Sequence, residues 1–263
     1  MSSVQACSTR TDASLSVQNL KDLISNRIQI LRIPDFIDKQ ACHIISAGLQ
    51  KNGYNDYLNA PSVGRIGMSY FETGLKPDLI QHYFDNAIGN IEVLRQACYP
   101  YPCPVDTLRC RLDEQWPAGC HLQTLYNQKM FVGLSRSMKP HTPLLPHHDM
   151  FGRHAPNTPE STSLISQFGM NVYVDVPAEG GELAMWMDEI SDQEFLKKRG
   201  DHYAIPLELL KAPDFSIKPN NGDLILFNAR KLHAVLPGSG TDRLTLSAFL
   251  GYRGDANSLT VWS

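Results

Sequence analysis

Two histidines and one aspartate in this chain have the types and spacing of a metal site. His147 and Asp149 are two residues apart in the segment Leu-Leu-Pro-His-His-Asp-Met, and His233 follows later in the chain. If the segment is a β-strand, His147 and Asp149 project from one face while His148 points away. Two imidazoles and one carboxylate on one side of a metal leave the opposite positions open, which suits non-heme iron(II). The sequence therefore predicts that His147, Asp149 and His233 bind a metal.

A His-x-Asp pair alone is a weak signal, because a chain with nine histidines can produce one by chance. An isolated histidine on a strand is more often a hydrogen-bonded structural residue, and an isolated arginine is more often solvated. Here, however, Arg243 enters an apolar strand shortly after His233. An arginine at the start of that strand can return to the pocket beside the metal, where its planar guanidinium suits a carboxylate. We therefore interpret the three ligands and Arg243 as one site.

The order His147-x-Asp149, His233 and Arg243-Leu-Thr245 resembles the pattern of the iron(II)- and 2-oxoglutarate-dependent oxygenases. Residues 178–183, 220–227, 249–253 and 262–263 are similar to small bacterial enzymes that hydroxylate free or N-acylated amino acids, and to their freestanding aliphatic halogenase relatives. Those halogenases carry glycine in place of the metal-binding aspartate, so with Asp149 present the resemblance implies hydroxylation or another oxidative outcome rather than halogenation. The resemblance covers roughly residues 121–263 well and the first 120 residues poorly.

The resemblance implies 2-oxoglutarate as cosubstrate, iron(II) as the metal and O2 as the oxidant. Arg243 would pair with the far carboxylate of 2-oxoglutarate, and Thr245, on the same strand face, would add a hydrogen bond. Asn171 is a candidate for the near carboxylate, although a polar residue on a strand's solvent face is an equal interpretation. Succinate and CO2 would be released as an aliphatic C–H bond is hydroxylated.

Residues just after the His-x-Asp strand and in the front half of the chain are expected to form the mouth of the pocket. The candidates for substrate contact are Met150, Phe151, Arg153, Tyr70, Arg65, Arg136 and Trp186. Arg153 is favoured among the arginines because it lies close to Asp149 and suits a carboxylate-bearing substrate. The alternative is that these arginines are solvated.

Three functions compete. The first is hydroxylation of an amino acid or an amino-acid-derived small metabolite. The second is the same chemistry with desaturation or cyclisation as the outcome, or on a peptide or protein side chain; the chain offers no obvious appended recognition element for the latter. The third is a non-catalytic jelly-roll binding protein. A small-molecule hydroxylase is the prediction.

Composition limits the classes of partner. With 263 residues and 42% hydrophobic content, the chain can bury a large core, and a single domain is the default. The net charge of −3 and the scattered basic residues predict no nucleic-acid partner. No apolar run approaches the ~18 to 20 residues of a membrane span, and the N-terminus lacks an apolar signal segment, so no membrane partner and a cytoplasmic location are expected. The oligomeric state stays open.

The six cysteines are too sparse for a disulfide scaffold and match no zinc spacing, so they are expected to be reduced. A local redox or metal role for the four cysteines between residues 98 and 120 stays open.

The pattern of elements predicts a mostly β protein with a helical front, an α+β arrangement. The expected fold is a double-stranded β-helix (jelly roll, cupin-like) with supporting N-terminal helices. Residues 1–15 are predicted to be a flexible tail, and residues 16–263 a single jelly-roll oxygenase domain with a helical front (16–120) and a β core (121–263). Helices are predicted from Asp38 to about Gly53, over 77–98 and 105–116, and from a capping box at Ser191. Strands are predicted over 124–134, 144–149, 168–176, 182–187, 223–227 and 243–252.

Overall fold

The computed structural model describes residues 9–58, 63–188 and 190–263. Its helices are α1 (Val17–Ile24), α2 (Lys39–Asn52), α3 (Pro77–Cys98), α4 (Pro104–Gln115), α5 (Phe151–His154), α6 (Pro159–Thr162) and α7 (Asp192–Arg199), with 3-10 turns at Tyr70–Thr73 and Leu207–Leu209. Its first nine strands are β1 (Thr9–Thr11), β2 (Ile30–Ile33), β3 (Asn55–Asp56), β4 (Val63–Ile66), β5 (Cys120–Leu122), β6 (Thr124–Leu125), β7 (Gln128–Lys129), β8 (Leu134–Met138) and β9 (Leu144–His147). The remaining strands are β10 (Ser166–Asp175), β11 (Glu179–Gly180), β12 (Leu183–Met185), β13 (Phe215–Ile217), β14 (Leu224–Asn228), β15 (His233–Val235), β16 (Gly238–Ser239), β17 (Arg243–Tyr252) and β18 (Leu259–Trp262).

Two mostly antiparallel sheets form the β core. The larger sheet has ten strands and runs β1-β2-β14-β10-β17-β8-β4-β3, with β18 paired to β17 and β5 paired to β18. The smaller sheet has the order β13-β12-β15-β9. The predicted jelly-roll fold with supporting N-terminal helices is confirmed. Among the described residues, no helix combines the length and the apolar character that crossing a membrane requires.

Side chains alternate along β17, so the larger sheet packs against the main core with one face and lines a cavity with the other. Leu244 and Leu246 belong to the main core, which also contains residues of α2, α3 and α4. Arg243 and Ser247, on the opposite face of the strand, line a cavity towards the smaller sheet. A second apolar cluster fills the space between the sheets and contains Tyr173, Ile225 and Phe227 from the larger sheet with Leu183 and Met185 from the smaller one. The helices therefore support the sheet from outside and leave its inner face for the site.

Local signals located most helices correctly. The side chain of Asp38 accepts a hydrogen bond from the Ala41 N–H (2.7 Å) and caps α2, which ends at Asn52, next to the predicted Gly53. Helix α3 spans the predicted residues, with Pro77 in its first turn. Ser191 caps α7 by accepting from the Glu194 N–H.

Three predictions about the fold need correction. Residues 1–8 of the expected tail lie outside the described residues, but Thr9–Thr11 pairs with β2 and Leu15 is buried, so the tail does not extend to residue 15. The front is not purely helical, because β2 and β4 join the larger sheet. The strand predicted over 124–134 is a short hairpin, since Tyr126 and Asn127 both adopt positive φ, as a tight two-residue turn requires.

Gly169 leaves room for the ring of Phe227, which packs against the predicted ligand His233. A Cβ on Gly169 would lie 2.5 Å from the ring of Phe227, whose ring packs against His233 with centroids 4.8 Å apart. We expect Gly169→Ala to lower the free energy of unfolding by about 1 to 3 kcal/mol, because the ring must shift within a packed interior. Gly89→Ala is the control. Gly89 lies within α3 and has open space where an alanine Cβ would lie, so this substitution should raise the free energy of unfolding by about 0.5 to 1 kcal/mol. Urea unfolding measures both, and an unchanged midpoint for Gly169→Ala would contradict the expectation.

Candidate metal centre

Two of the three predicted ligands lie on neighbouring strands of the smaller sheet, and the third follows one of these strands. His147 ends β9 and is paired in register with His233, the first residue of β15. Asp149 lies two residues beyond β9, where its backbone N–H donates to the Ala229 carbonyl (2.8 Å). One ligand atom from each of the three residues lies within 4.8 Å of the others. Strand pairing therefore brings together residues that are far apart in sequence.

The hydrogen bonds of the two imidazoles engage Nδ1 and leave Nε2 of each ring free for a metal. His147 Nδ1 lies 2.7 Å from the Leu145 carbonyl oxygen, and His233 Nδ1 lies 2.9 Å from the Lys231 carbonyl oxygen. Because a carbonyl oxygen only accepts, each Nδ1 carries the proton and each neutral ring keeps a lone pair on Nε2. These Nε2 atoms lie 3.9 Å (His147) and 3.3 Å (His233) from the carboxylate oxygens of Asp149. The donor set fits an iron(II) ion.

The electrostatics keep His147 and Asp149 in their metal-binding protonation states. Burial, followed by the effect of His233, lowers the pKa of His147 to about 4, so its imidazole is neutral at pH 7. Burial opposes ionisation of Asp149, but His147 and His233 outweigh it and hold the pKa of the carboxyl well below its usual range. A neutral imidazole and an ionised carboxylate are the forms that coordinate a metal.

Two adjoining cavities meet at this centre. The wall of the outer cavity includes Tyr70, Arg136, Met150, Phe151, Arg153 and Trp262, together with His147. The wall of the inner cavity includes Asn171, His233, Arg243 and Ser247. Asp149 and Arg136 line both cavities, so they mark the junction.

The inner cavity contains a buried cation without an anionic partner. Arg243 is 5% exposed, and its Nε has no hydrogen-bond partner. Its guanidinium lies 4.9 Å from the ring centroid of Tyr173, and its Nη1 contacts the Met138 sulfur at 3.6 Å. Burial lowers the pKa of Arg243, and no carboxylate within the described ranges forms an ion pair with it. Because an unpaired buried charge is costly, the site fits a ligand carboxylate such as that of 2-oxoglutarate.

Most of the predicted site residues line one of the two cavities. Met150, Phe151, Arg153, Tyr70 and Arg136 line the outer cavity, and Asn171 lines the inner one. Thr245 lies on the same face of β17 as Arg243, but its oxygen accepts a long hydrogen bond from the Ser247 hydroxyl (3.4 Å) and the residue lines neither cavity. The roles of these residues towards a ligand stay predictions.

Two residues predicted to lie at the mouth of the pocket do not line it. The Nε of Arg65 donates to Glu72 Oε2 (2.7 Å), so this buried carboxylate neutralises the guanidinium away from the cavity. Trp186 is 2% exposed in a separate apolar cluster, where its Nε1 donates to the Lys211 carbonyl (2.8 Å). Both predictions were wrong because position along the chain does not reveal the direction of a side chain.

Sequence reasoning also missed several wall residues. Tyr57, Phe195, Tyr203 and Phe249 line the outer cavity, and Ser247 lines the inner one. Ser247 continues the alternation that begins at Arg243, so strand periodicity could have found it. Phe195 is a buried aromatic residue in the mostly charged helix α7. An aromatic residue among charged neighbours could have indicated that this side of the helix packs against the protein.

His148 gives a prediction about stability and pH. It is buried, its ring lies 4.3 Å from that of Phe195, and its Nε2 accepts from Arg153 Nη2 (2.7 Å). Burial, followed by Arg153, lowers the pKa of His148 to about 4 from the ordinary 6.5. A lowered folded-state pKa means that this stability is present above pH 6.5 and is lost as pH falls towards 4.

For metal-free protein, we therefore expect His148→Gln to reduce the loss of unfolding free energy between pH 7 and pH 4 by on the order of 2 kcal/mol. Glutamine keeps an acceptor for Arg153 but does not titrate. Chemical unfolding at a series of pH values measures the loss, with the exposed His43→Gln as the matched control. An equal pH dependence in His148→Gln and the wild type would show that His148 is not responsible.

Comparison with known proteins agrees with this architecture. Residues 157–263 match the family described as carrier-protein-independent halogenase WelO5. The chain is 24% identical over 261 residues to an L-γ-glutamyl-L-propargylglycine hydroxylase of Streptantibioticus cattleyicolor, covering 95% of this chain and 94% of that protein. The crystal structure of an N-substituted L-amino acid dioxygenase from Burkholderia ambifaria superposes with a TM-score of 0.61 at 18% identity, covering 94% and 91% of the two chains. Its complex with α-ketoglutarate gives 0.60 at 18% identity, covering 94% and 90%.

Proposed function

We propose that this chain is an iron(II)- and 2-oxoglutarate-dependent dioxygenase that hydroxylates an aliphatic C–H bond of a small amino acid or amino-acid-derived metabolite. Succinate and CO2 are the other products. The observation that carries the proposal is the convergence of His147, Asp149 and His233 where two cavities meet, with the unpaired Arg243 in the inner one. The similarity to a hydroxylase over 95% of the chain supports it.

The protein's own residues hold and orient the reactants. His147, Asp149 and His233 would hold the iron, and the carbonyls that accept from each Nδ1 fix the orientation of the two imidazole rings. Arg243 would bind the far carboxylate of 2-oxoglutarate in the inner cavity. When bound, iron and 2-oxoglutarate supply the oxidising power with which O2 replaces a C–H bond by C–OH. The substrate enters through the outer cavity, whose aromatic wall excludes water.

Asp149 favours hydroxylation over halogenation. The matching family is described as a halogenase, and the match covers residues 157–263, which do not include Asp149. The resemblance described above implies glycine at the aspartate position of such halogenases. In this chain the carboxylate is present, its two oxygens face the Nε2 atoms of the two imidazoles, and it is ionised. As a metal ligand it would take the position that a halide would need.

Succinate release tests the proposal. Under anaerobic conditions, iron(II) and 2-oxoglutarate should together produce a metal-to-ligand charge-transfer absorption. After O2 is admitted, a panel of amino acids, N-acyl amino acids and short peptides should include compounds that stimulate succinate release and gain one oxygen atom. A product lighter by two hydrogens would identify desaturation or cyclisation, and turnover with peptides alone would identify a protein substrate. Neither absorption nor succinate would favour a non-catalytic binding protein.

A further inference from the structure

The two histidine ligands lie on strands that are held differently. Strand β15 lies between β12 and β9, and its first residue, His233, is paired in register with Met185 on one side and with His147 on the other. Strand β9, which ends at His147, is the last strand of the smaller sheet, so β15 is its only strand partner among the described residues. It also contains Pro146, which has no backbone N–H to donate. The sheet therefore holds His147 less firmly than it holds His233.

Residues 203–205, which follow α7, supply further hydrogen bonds to β9. The Tyr203 hydroxyl accepts from the Leu145 N–H (2.9 Å), and the Ile205 N–H donates to the Pro146 carbonyl (2.9 Å). Ile205 is fully buried in the apolar cluster that also contains Phe195 of α7, so this segment is anchored to the body of the protein. Residues 203–205 therefore hold β9 directly before its metal-binding end.

The stretch of backbone that Tyr203 and Ile205 hold is the one that orients His147. The Leu145 carbonyl accepts from His147 Nδ1 (2.7 Å), and along the backbone it lies between the Leu145 N–H and the Pro146 carbonyl. A hydrogen bond to the Nδ1 of a ligand histidine sets the direction of its Nε2 lone pair, and losing such a partner weakens metal binding by about 10- to 100-fold. Without the Tyr203 hydroxyl, one end of this stretch is released. Tyr203 therefore acts on His147 through two hydrogen bonds in series.

We propose that Tyr203 is a positioning residue of the metal centre, whose hydroxyl fixes the backbone at Leu145 and, through it, the imidazole ring of His147. This inference rests on the metal centre of the proposed function and adds to it a residue that is not itself a ligand. Tyr203 also lines the outer cavity, so one side chain forms part of the cavity wall and holds the strand that carries a metal ligand.

Titration of the metal-free protein with cobalt(II), used in place of iron(II), tests the effect on metal binding. Tyr203→Phe keeps the ring in the cavity wall and removes only the hydroxyl. We expect the affinity for cobalt(II) to fall about three- to tenfold, less than for the loss of a direct partner of His147, because the effect passes through the backbone. Tyr54→Phe is the matched control. The Tyr54 hydroxyl is hydrogen-bonded to Ser135 Oγ on β8 (3.2 Å) and Tyr54 lines neither cavity, so its loss should leave the affinity unchanged.

The imidazole protons give a readout that a general loss of stability would not move. In the metal-free protein, His147 and His233 each donate an Nδ1 proton to a backbone carbonyl, and NMR of protein labelled with nitrogen-15 histidine measures how fast each proton exchanges with water. His147→Gln and His233→Gln assign the two signals. Tyr203→Phe should speed the exchange of the His147 proton by about fivefold. The His233 proton should keep its rate, because β15 is paired on both sides.

The two measurements separate this inference from the proposed function. Wild-type affinity for cobalt(II) in Tyr203→Phe, or an unchanged exchange rate of the His147 proton, would overturn the inference. Equal acceleration of both imidazole protons would overturn it as well, because the whole sheet would then have loosened. A wild-type protein that binds no metal would contradict the proposed function, while proton exchange would still show whether Tyr203 positions His147. Circular dichroism and urea unfolding verify that each variant folds.

Discussion

Replacing any one of His147, Asp149 and His233 with alanine is expected to abolish iron-dependent turnover. Each residue supplies one of three ligand atoms that lie within 4.8 Å of one another, and a site with two protein ligands loses most of its affinity for the metal. Iron content after gel filtration and succinate release measure the two effects. His202→Ala is the matched control, because this residue lines neither cavity. Full activity in His233→Ala would mean that another histidine, such as His154 in the outer cavity wall, is the third ligand.

Asp149→Gly tests more directly whether Asp149 is a metal ligand. It removes the carboxylate but leaves both imidazoles, whose Nδ1 hydrogen bonds to backbone carbonyls do not depend on Asp149. Hydroxylation should fall steeply even if some iron still binds, and a coordination position becomes open to halide. Unchanged hydroxylation would refute Asp149 as a ligand.

Arg243→Lys is expected to weaken the binding of 2-oxoglutarate by about tenfold or more. Lysine keeps the charge but loses the planar fork that pairs with a carboxylate, and a charge-assisted hydrogen bond contributes about 1.5 to 3 kcal/mol. Iron binding should survive, because Arg243 is not a ligand. Anaerobic titration of 2-oxoglutarate, followed by the charge-transfer absorption, gives the midpoint for each protein.

Arg253→Lys is the matched control for Arg243→Lys. Arg253 is partly buried, its guanidinium donates to Ser163, Thr260 and Gln123, and it lines neither cavity. Its replacement should leave the midpoint for 2-oxoglutarate unchanged. If Arg243→Lys also left the midpoint unchanged, the anchor would have to be Arg136, the other arginine of the inner cavity wall.

Patterns that depend on neighbours in sequence predicted the structure best. Asp38 caps α2, and β17 spans the predicted residues 243–252, because a helix cap and strand alternation are set within a few residues. The pattern was less informative for short segments. The 124–134 region reads as one strand, yet Tyr126 and Asn127 form a turn, and β2 in the front half pairs with β14 across the chain.

The sequence by itself determined the donor set and its order: two imidazoles, one carboxylate and a following arginine. It also gave the two-residue spacing of His147 and Asp149, which in an extended segment places both side chains on one face. Only the tertiary structure decided which of the other side chains reach the site. Arg136 and Arg65 are paired in register on β8 and β4, yet Arg65 is neutralised by Glu72 and Arg136 faces the cavities with a neutral partner. The physical reason is that burial and charge pairing arise from contacts between distant segments, which no local spacing encodes.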